Sequence, residues 1–178
     1  MLAAIELFGE QGYDSTTVAQ LAERAGLTKA TFFRHFPDKR EVLFAGQEVH
    51  SRLLADAIAG APESATPLEA VAAALDAVAA SFTPAQREFG PRLEAVIAEN
   101  GELRERAAFK RAGLAATMAD ALRHRGIPDP TASLAAELGV HAFSHAFTAW
   151  ADPATTRTLP DLARESLAEL RAAATALR

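Results

Sequence analysis

The chain has 178 residues, with 18 Lys or Arg against 23 Asp or Glu and a formal net charge of −5, which is enough for one substantial core or for a small module joined to a larger one. It contains no cysteine, which excludes disulfides, thiolate metal sites and cysteine nucleophiles together. The acidic balance excludes nucleic-acid binding over the whole surface, because non-specific affinity comes from neutralised phosphates, so any DNA contact must be local.

No apolar run reaches the ~18–20 residues that a membrane span needs. Met1 opens onto an amphipathic pattern, Leu2, Ile5 and Phe8, and not onto an export signal, so a cytoplasmic protein without membrane contact is expected. Alanine and leucine dominate and no alternating run reads as a strand, so the fold class is all-α. Glycine and proline punctuation at Gly12, Gly26, Pro37, Gly60, Pro84, Pro91, Gly101, Gly126 and Pro160 divides the chain into about nine helices. The first are short and define a module over residues 1–47; those of residues 48–178 are longer. A helix from Asp38 to about Ala59 is expected to run unbroken through the junction.

Thr17 precedes Val18, Leu21 and Ala22, so its hydroxyl is placed to cap a helix whose apolar positions share one face. Gly26 suits a helix C-terminus, and Thr28 offers a new N-cap for Lys29 to Phe36. Leu21, Ala22, Leu27, Phe32 and Phe36 then pack on Ile5 and Phe8, with Lys29, Thr31, Arg34 and His35 outward. This is the pattern of a helix-turn-helix with a polar second helix. An ordinary three-helix corner with solvated charges would share it. Residues 1–47 carry five basic against six acidic side chains, but Leu27 to Arg40 holds Lys29, Arg34, Lys39 and Arg40 against Asp38 alone.

The run FGEQGYDSTTVAQLAERAGLTKATFFRHFPDKREVLFA, within Leu2 to Ala45, resembles the DNA-binding domain of the TetR (tetracycline repressor) family. The resemblance implies that Thr17 touches a phosphate while capping its helix. Thr28, Lys29, Thr31 and Arg34 would reach bases or nearby phosphates in the major groove, and His35 and Lys39 would hold the backbone. Phosphate contacts fix register and base-edge contacts read sequence, so specificity rests on few side chains. Phe33 stands where the family usually has tyrosine, which keeps the aromatic body and loses a phosphate-binding hydroxyl. Ala19 replaces a position often basic or polar, and the sequence has no basic arm ahead of Leu2. All three lower the expected affinity without changing the class.

Beyond Gln47 the resemblance is general. Phe82, Phe89, Leu93, Val96, Phe109, Leu114, Met118, Phe143 and Phe147 are candidates for an apolar effector cavity, with a filled core as the competing reading. Thr131 to Ala151 and Leu159 to Leu177 resemble the family's dimerisation helices, which implies a homodimer. Glu137, His141 and His145 are four apart but make at most a partial metal site, so no metal and no cofactor are expected. Arg104, Arg106, Lys110 and Arg111 alternate with Glu102 and Glu105, as on a solvated face or around an anionic head group. No phosphate loop, HExxH or GxSxG is present, so an enzyme is not expected. The expected function is a DNA-binding regulator, a repressor released from a palindromic operator in double-stranded DNA by a small, mostly apolar effector. An all-α interaction module without DNA binding is the alternative.

Overall fold

The computed structural model describes residues 1–177. Among them are nine α-helices and one 3₁₀ turn, with no strand. The helices are α1 Leu2–Gln11, α2 Val18–Arg24, α3 Lys29–His35, α4 Gln47–Gly60, α5 Pro67–Ala79, α6 Pro84–Glu99, α7 Gly101–His124, α8 Thr131–Ala151 and α9 Leu159–Ala176. They form two compact units. The first joins Met1–Gln47 to Glu88–Lys110, and the second joins Glu48–Arg87 to the chain from Arg111 onward. The first unit thus includes a segment, 88–110, that a chain-contiguous module over residues 1–47 leaves out.

In the first unit, Ile5, Phe8, Leu21, Ala22, Phe32, Val42 and Leu43 are buried together. Val96 of α6 and Leu103 of α7 are buried in the same cluster, and Phe89, Leu93 and Ile97 pack against it. These positions fall on one face of α6 at helical spacing, which explains why that face is apolar. Phe8 and Tyr13 meet edge to face, with ring centroids 5.2 Å apart.

The second unit is built on α5, α8 and α9. Thr66 caps α5 in a box with Glu69, with Pro67 in the first turn. The buried side of α8 carries Ala132, Ala135, Ala136, Gly139, Ala142 and Ala146, and small side chains let neighbouring backbones approach closely. At Gly139 a Cβ would lie 2.6 Å from Val71 Cγ1 of α5, so only glycine fits without repacking. Met118 and Leu122 of α7 are buried in this core. Arg125 Nη1 donates to the carbonyls of Ile58 at 3.1 Å and Ala61 at 2.7 Å, which places a cation over the end of α4.

The helix expected from Asp38 to Ala59 is interrupted. The Asp38 carboxylate accepts from the backbone N–H of Arg40 at 2.9 Å and of Glu41 at 3.2 Å, and starts a 3₁₀ turn, Glu41–Phe44. Gly46, at φ 92°, then breaks the chain direction, and α4 begins at Gln47. That backbone angle is costly for any residue with a Cβ.

Candidate nucleic-acid interface

The turn between α2 and α3 is set by local hydrogen bonds. Thr17 Oγ1 accepts from Gln20 N at 3.3 Å, while Gln20 Oε1 accepts from Thr17 N at 2.8 Å, so each satisfies a backbone donor that the first turn of α2 would otherwise leave orphaned. At the far end Gly26 N donates to Glu23 O at 3.0 Å and Leu27 N to Ala22 O at 2.7 Å, a Schellman closure with Gly26 at φ 68°. Thr28 Oγ1 accepts from Thr31 N at 3.1 Å and starts α3. Thr16 is buried instead, its hydroxyl donating to Gly12 O at 2.7 Å.

This geometry turns α3 so that Phe32 is its buried residue. Lys29, Phe33, Arg34 and His35 are exposed, as are Thr17 and Thr28, and Thr31 is half-buried. Phe33 is 54% exposed, an unusual amount for a phenyl ring, and it stands on the same short helix as the two cations. The Thr28 and Thr31 hydroxyl oxygens lie 3.0 Å apart at the head of α3. One proton of that pair is committed between them, and the other is available to an acceptor outside the chain.

Lys39 is placed differently from the other expected contacts. Its ammonium donates to Tyr13 O at 2.7 Å and Thr16 O at 3.1 Å, and lies 4.0 Å from the centroid of the Tyr13 ring. In this structure it therefore ties the segment after α3 to the loop before α2, and at most one of its N–H bonds remains for a phosphate. The Tyr13 hydroxyl is pushed up to about 12, first by burial and then by the charges of Glu102 and Asp38.

Four acidic side chains of residues 1–47, Glu6, Glu10, Asp38 and Glu41, are engaged with cations. Arg24 pairs with Glu10 at 2.9 Å and Glu6 at 3.5 Å, and Arg40 pairs with Asp38 at 2.9 Å. Glu41 binds both Lys110, at 3.0 Å, and Arg106. Among the described residues neither Lys29 nor Arg34 makes an ion pair, so α3 presents positive charge although residues 1–47 are not basic in sum. The basic run on α7 accordingly has a use that neither expected reading included. Arg106 and Lys110, one turn apart, fasten α7 to Glu41, and Arg104 donates to Ala98 O at 2.6 Å. Their spacing was legible, but a partner about 65 positions away was not.

The nine apolar candidates for an effector cavity divide between the two units. Phe89, Leu93 and Val96 pack in the core of the first unit. Phe109 is 66% exposed, with the Arg106 guanidinium 5.0 Å from its ring centroid. Phe82, Leu114, Met118, Phe143 and Phe147 do share the core of the second unit. There Phe82 is surrounded by His50, Phe143, Phe147 and Trp150. A separate open groove of about 370 Å³ lies between the first turns of α5 and α8 and the end of α9, lined by Leu68, Leu134, Ala135, Leu138 and Arg171. Leu134 is 58% exposed there.

A short helix carrying cations and an exposed ring, set by a tight turn behind a capped support helix, defines a helix-turn-helix unit. Residues 1–45 match the family described as bacterial regulatory proteins, tetR family. Over 75 residues it is 40% identical to the HTH-type transcriptional regulator TcmR of Streptomyces glaucescens, covering 42% of this chain and 33% of that one. Over 42 residues it is 43% identical to the HTH-type transcriptional regulator HbdR of Aromatoleum sp. (strain CIB), covering 24% and 18%. The matched stretches therefore span a third or less of these relatives. The fold is similar to the crystal structure of Thermus thermophilus FadR, a TetR-family transcriptional repressor in complex with lauroyl-CoA. The TM-score is 0.54 and the identity 24%, over 96% of this chain and 90% of that one. No single helix among the described residues is long and apolar enough to cross a membrane.

Proposed function

We propose that the chain is a cytoplasmic, ligand-responsive transcriptional regulator that binds operator DNA as a homodimer and leaves it when a small apolar molecule occupies the second unit. The observation that carries the DNA-binding part is the exposed face of α3, where Lys29, Phe33, Arg34 and His35 stand out from a helix held by Phe32 and the Thr28 cap. Thr28, Lys29, Thr31 and Arg34 read base edges or adjacent phosphates; Thr17, His35 and the remaining donor of Lys39 touch the backbone. One such helix supplies only a few base contacts, so useful specificity calls for two copies on a palindromic site, with half-sites about one helical turn or a multiple of it apart. The exposed Leu134 and the open apolar groove beside it support pairing through α8 and α9.

Release requires an effector that discriminates between states. Moving a dimer from almost wholly bound to almost wholly free needs about 10⁴-fold preference for one state, or about 5.5 kcal/mol. By linkage, operator DNA must weaken effector binding by the same factor. The deciding experiment is a gel-shift with the DNA upstream of the chain's own coding sequence, at stated salt, for the wild type and Lys29→Ala. A specific complex whose sequence preference is relaxed by Lys29→Ala supports the reading. Binding no tighter than to unrelated DNA would leave the chain an all-α interaction module.

A further inference from the structure

Phe82 lies in the connection between α5 and α6, and rings from two helices surround it. The His50 imidazole of α4 stacks on it at 5.2 Å with the planes 22° apart. Phe143 and Phe147 of α8 lie 5.6 and 5.5 Å away, and Trp150 meets it edge to face at 6.1 Å and 87°. Phe147 and Trp150 also contact one another at 5.9 Å, so this wall of the cage does not depend on Phe82. Phe82 is half-buried, and it alone of the five stands on irregular backbone; the others are fixed on α4 and α8. A side chain on a connection is freer to leave than its helical neighbours.

We propose that this cage is a binding site for a small, flat, uncharged aromatic molecule that enters by taking the place of the Phe82 ring. The proposal rests on the ligand-responsive reading above and names the chemical class of its effector. An aromatic guest reproduces the stacked face and the tilted and edge contacts that Phe82 now makes, whereas a saturated ring of equal size forfeits their quadrupole component. Charge is disfavoured by what surrounds the cage. The Arg87 guanidinium lies 5.9 Å from the centroid of the Trp150 ring, but it already donates to the carbonyls of Trp150 at 2.8 Å, of Asp152 at 3.2 Å and of Thr155. Burial lowers the pKa of His50, which disfavours its charged form beside the cage. A charged guest would lose hydration there without a free partner. Phe82 stands in the connection immediately before Pro84, where α6 begins.

Trp150 is the sole tryptophan and forms one wall of the cage, so its emission reports occupancy directly. The full chain is titrated with benzyl alcohol and, separately, with cyclohexylmethanol, its saturated and more hydrophobic counterpart. The expected result is a saturable change in Trp150 emission with benzyl alcohol at about tenfold lower concentration than with cyclohexylmethanol. Phe82→Ala should tighten benzyl alcohol by a further factor of about ten, since no ring then has to leave. Equal or tighter binding of cyclohexylmethanol by the wild type overturns the proposal, as does the absence of a saturable change with benzyl alcohol. The wild-type pair of titrations decides even if Phe82→Ala does not fold. A parallel gel-shift separates the two readings: an occupied cage with the operator still bound removes the release mechanism and leaves the site standing, while release by an effector that leaves Trp150 emission unchanged removes the site alone.

Discussion

Replacement of Glu41 by glutamine tests whether the start of α7 is fastened to the rest of the first unit by charge or merely rests on it. The Glu41 side chain is 12% exposed, and those of Arg106 and Lys110 are 27% and 22% exposed. Exposed pairs contribute about 0.2–1 kcal/mol, and breaking a fully buried pair costs about 3–5 kcal/mol because a charge is left without compensation. Glu41 lies between these limits and serves two cations, so Glu41→Gln is expected to cost about 1–3 kcal/mol. For a chain of this size that lowers the thermal midpoint by about 3–9 °C. The pH dependence carries a second signature. Burial alone would raise the Glu41 pKa, but hydrogen bonds and charge from Arg106 and Lys110 outweigh it, and the carboxyl lies below its ordinary value of 4.5. A depressed carboxylate contributes stability that is fully present above its unfolded pKa and is lost as pH falls through the folded one. Melting followed by circular dichroism should therefore give a constant gap between wild type and Glu41→Gln from neutral pH down to about pH 5, narrowing below that. A variant within about 0.3 kcal/mol of wild type at neutral pH, or a gap that widens with acid, would refute the reasoning.

Lys39→Ala removes two bonds to backbone carbonyls and the contact with the Tyr13 ring, so it should lower stability by about 1–3 kcal/mol in urea titrations as well as weaken binding to all DNA sequences alike in gel-shifts. Lys29→Ala should leave the unfolding curve unchanged and broaden the consensus returned by a binding-site selection. Gly139→Ala places a methyl where Val71 Cγ1 lies 2.6 Å away; overpacking of this kind costs about 1–3 kcal/mol, read as a lower denaturant midpoint with unchanged slope.

The helix-turn-helix was legible because capping and turn chemistry act over three or four residues. Thr17 with Gln20, Gly26 and Thr28 each state their roles within one turn of chain. Which apolar residues meet one another is a long-range property and was not legible. Phe89, Leu93 and Val96 are expected as cavity candidates, and the structure packs them in the core of the first unit, because apolar character reports that a side chain is covered and not by what. Phe109, a candidate as well, is exposed. The break before α4 had a local signal in Gly46 that was outweighed by the apolar run Val42, Leu43 and Phe44; these residues are accommodated in the 3₁₀ turn.

That break falls beside one of the chain's passages between the two units. The chain passes between the units after Gln47, after Arg87 and after Lys110. The first passage follows Gly46 directly, and a positive-φ glycine between a 3₁₀ turn and a helix gives no continuous run of backbone hydrogen bonds along which a displacement could be carried. The second and third fall inside α6 and α7. In α6 the helix contains Pro91, which lacks the N–H needed to continue the hydrogen-bond ladder. In α7 no proline intervenes: Leu103 and Ala107 are buried in the first unit, and Met118 and Leu122 in the core of the second. One helix thus has a face in each core, and Arg106 and Lys110 anchor its first half to Glu41. The helix expected to run unbroken from Asp38 to about Ala59 is therefore interrupted at Gly46, whereas α7 runs without a break from Gly101 to His124, with Arg106 and Lys110 paired to Glu41.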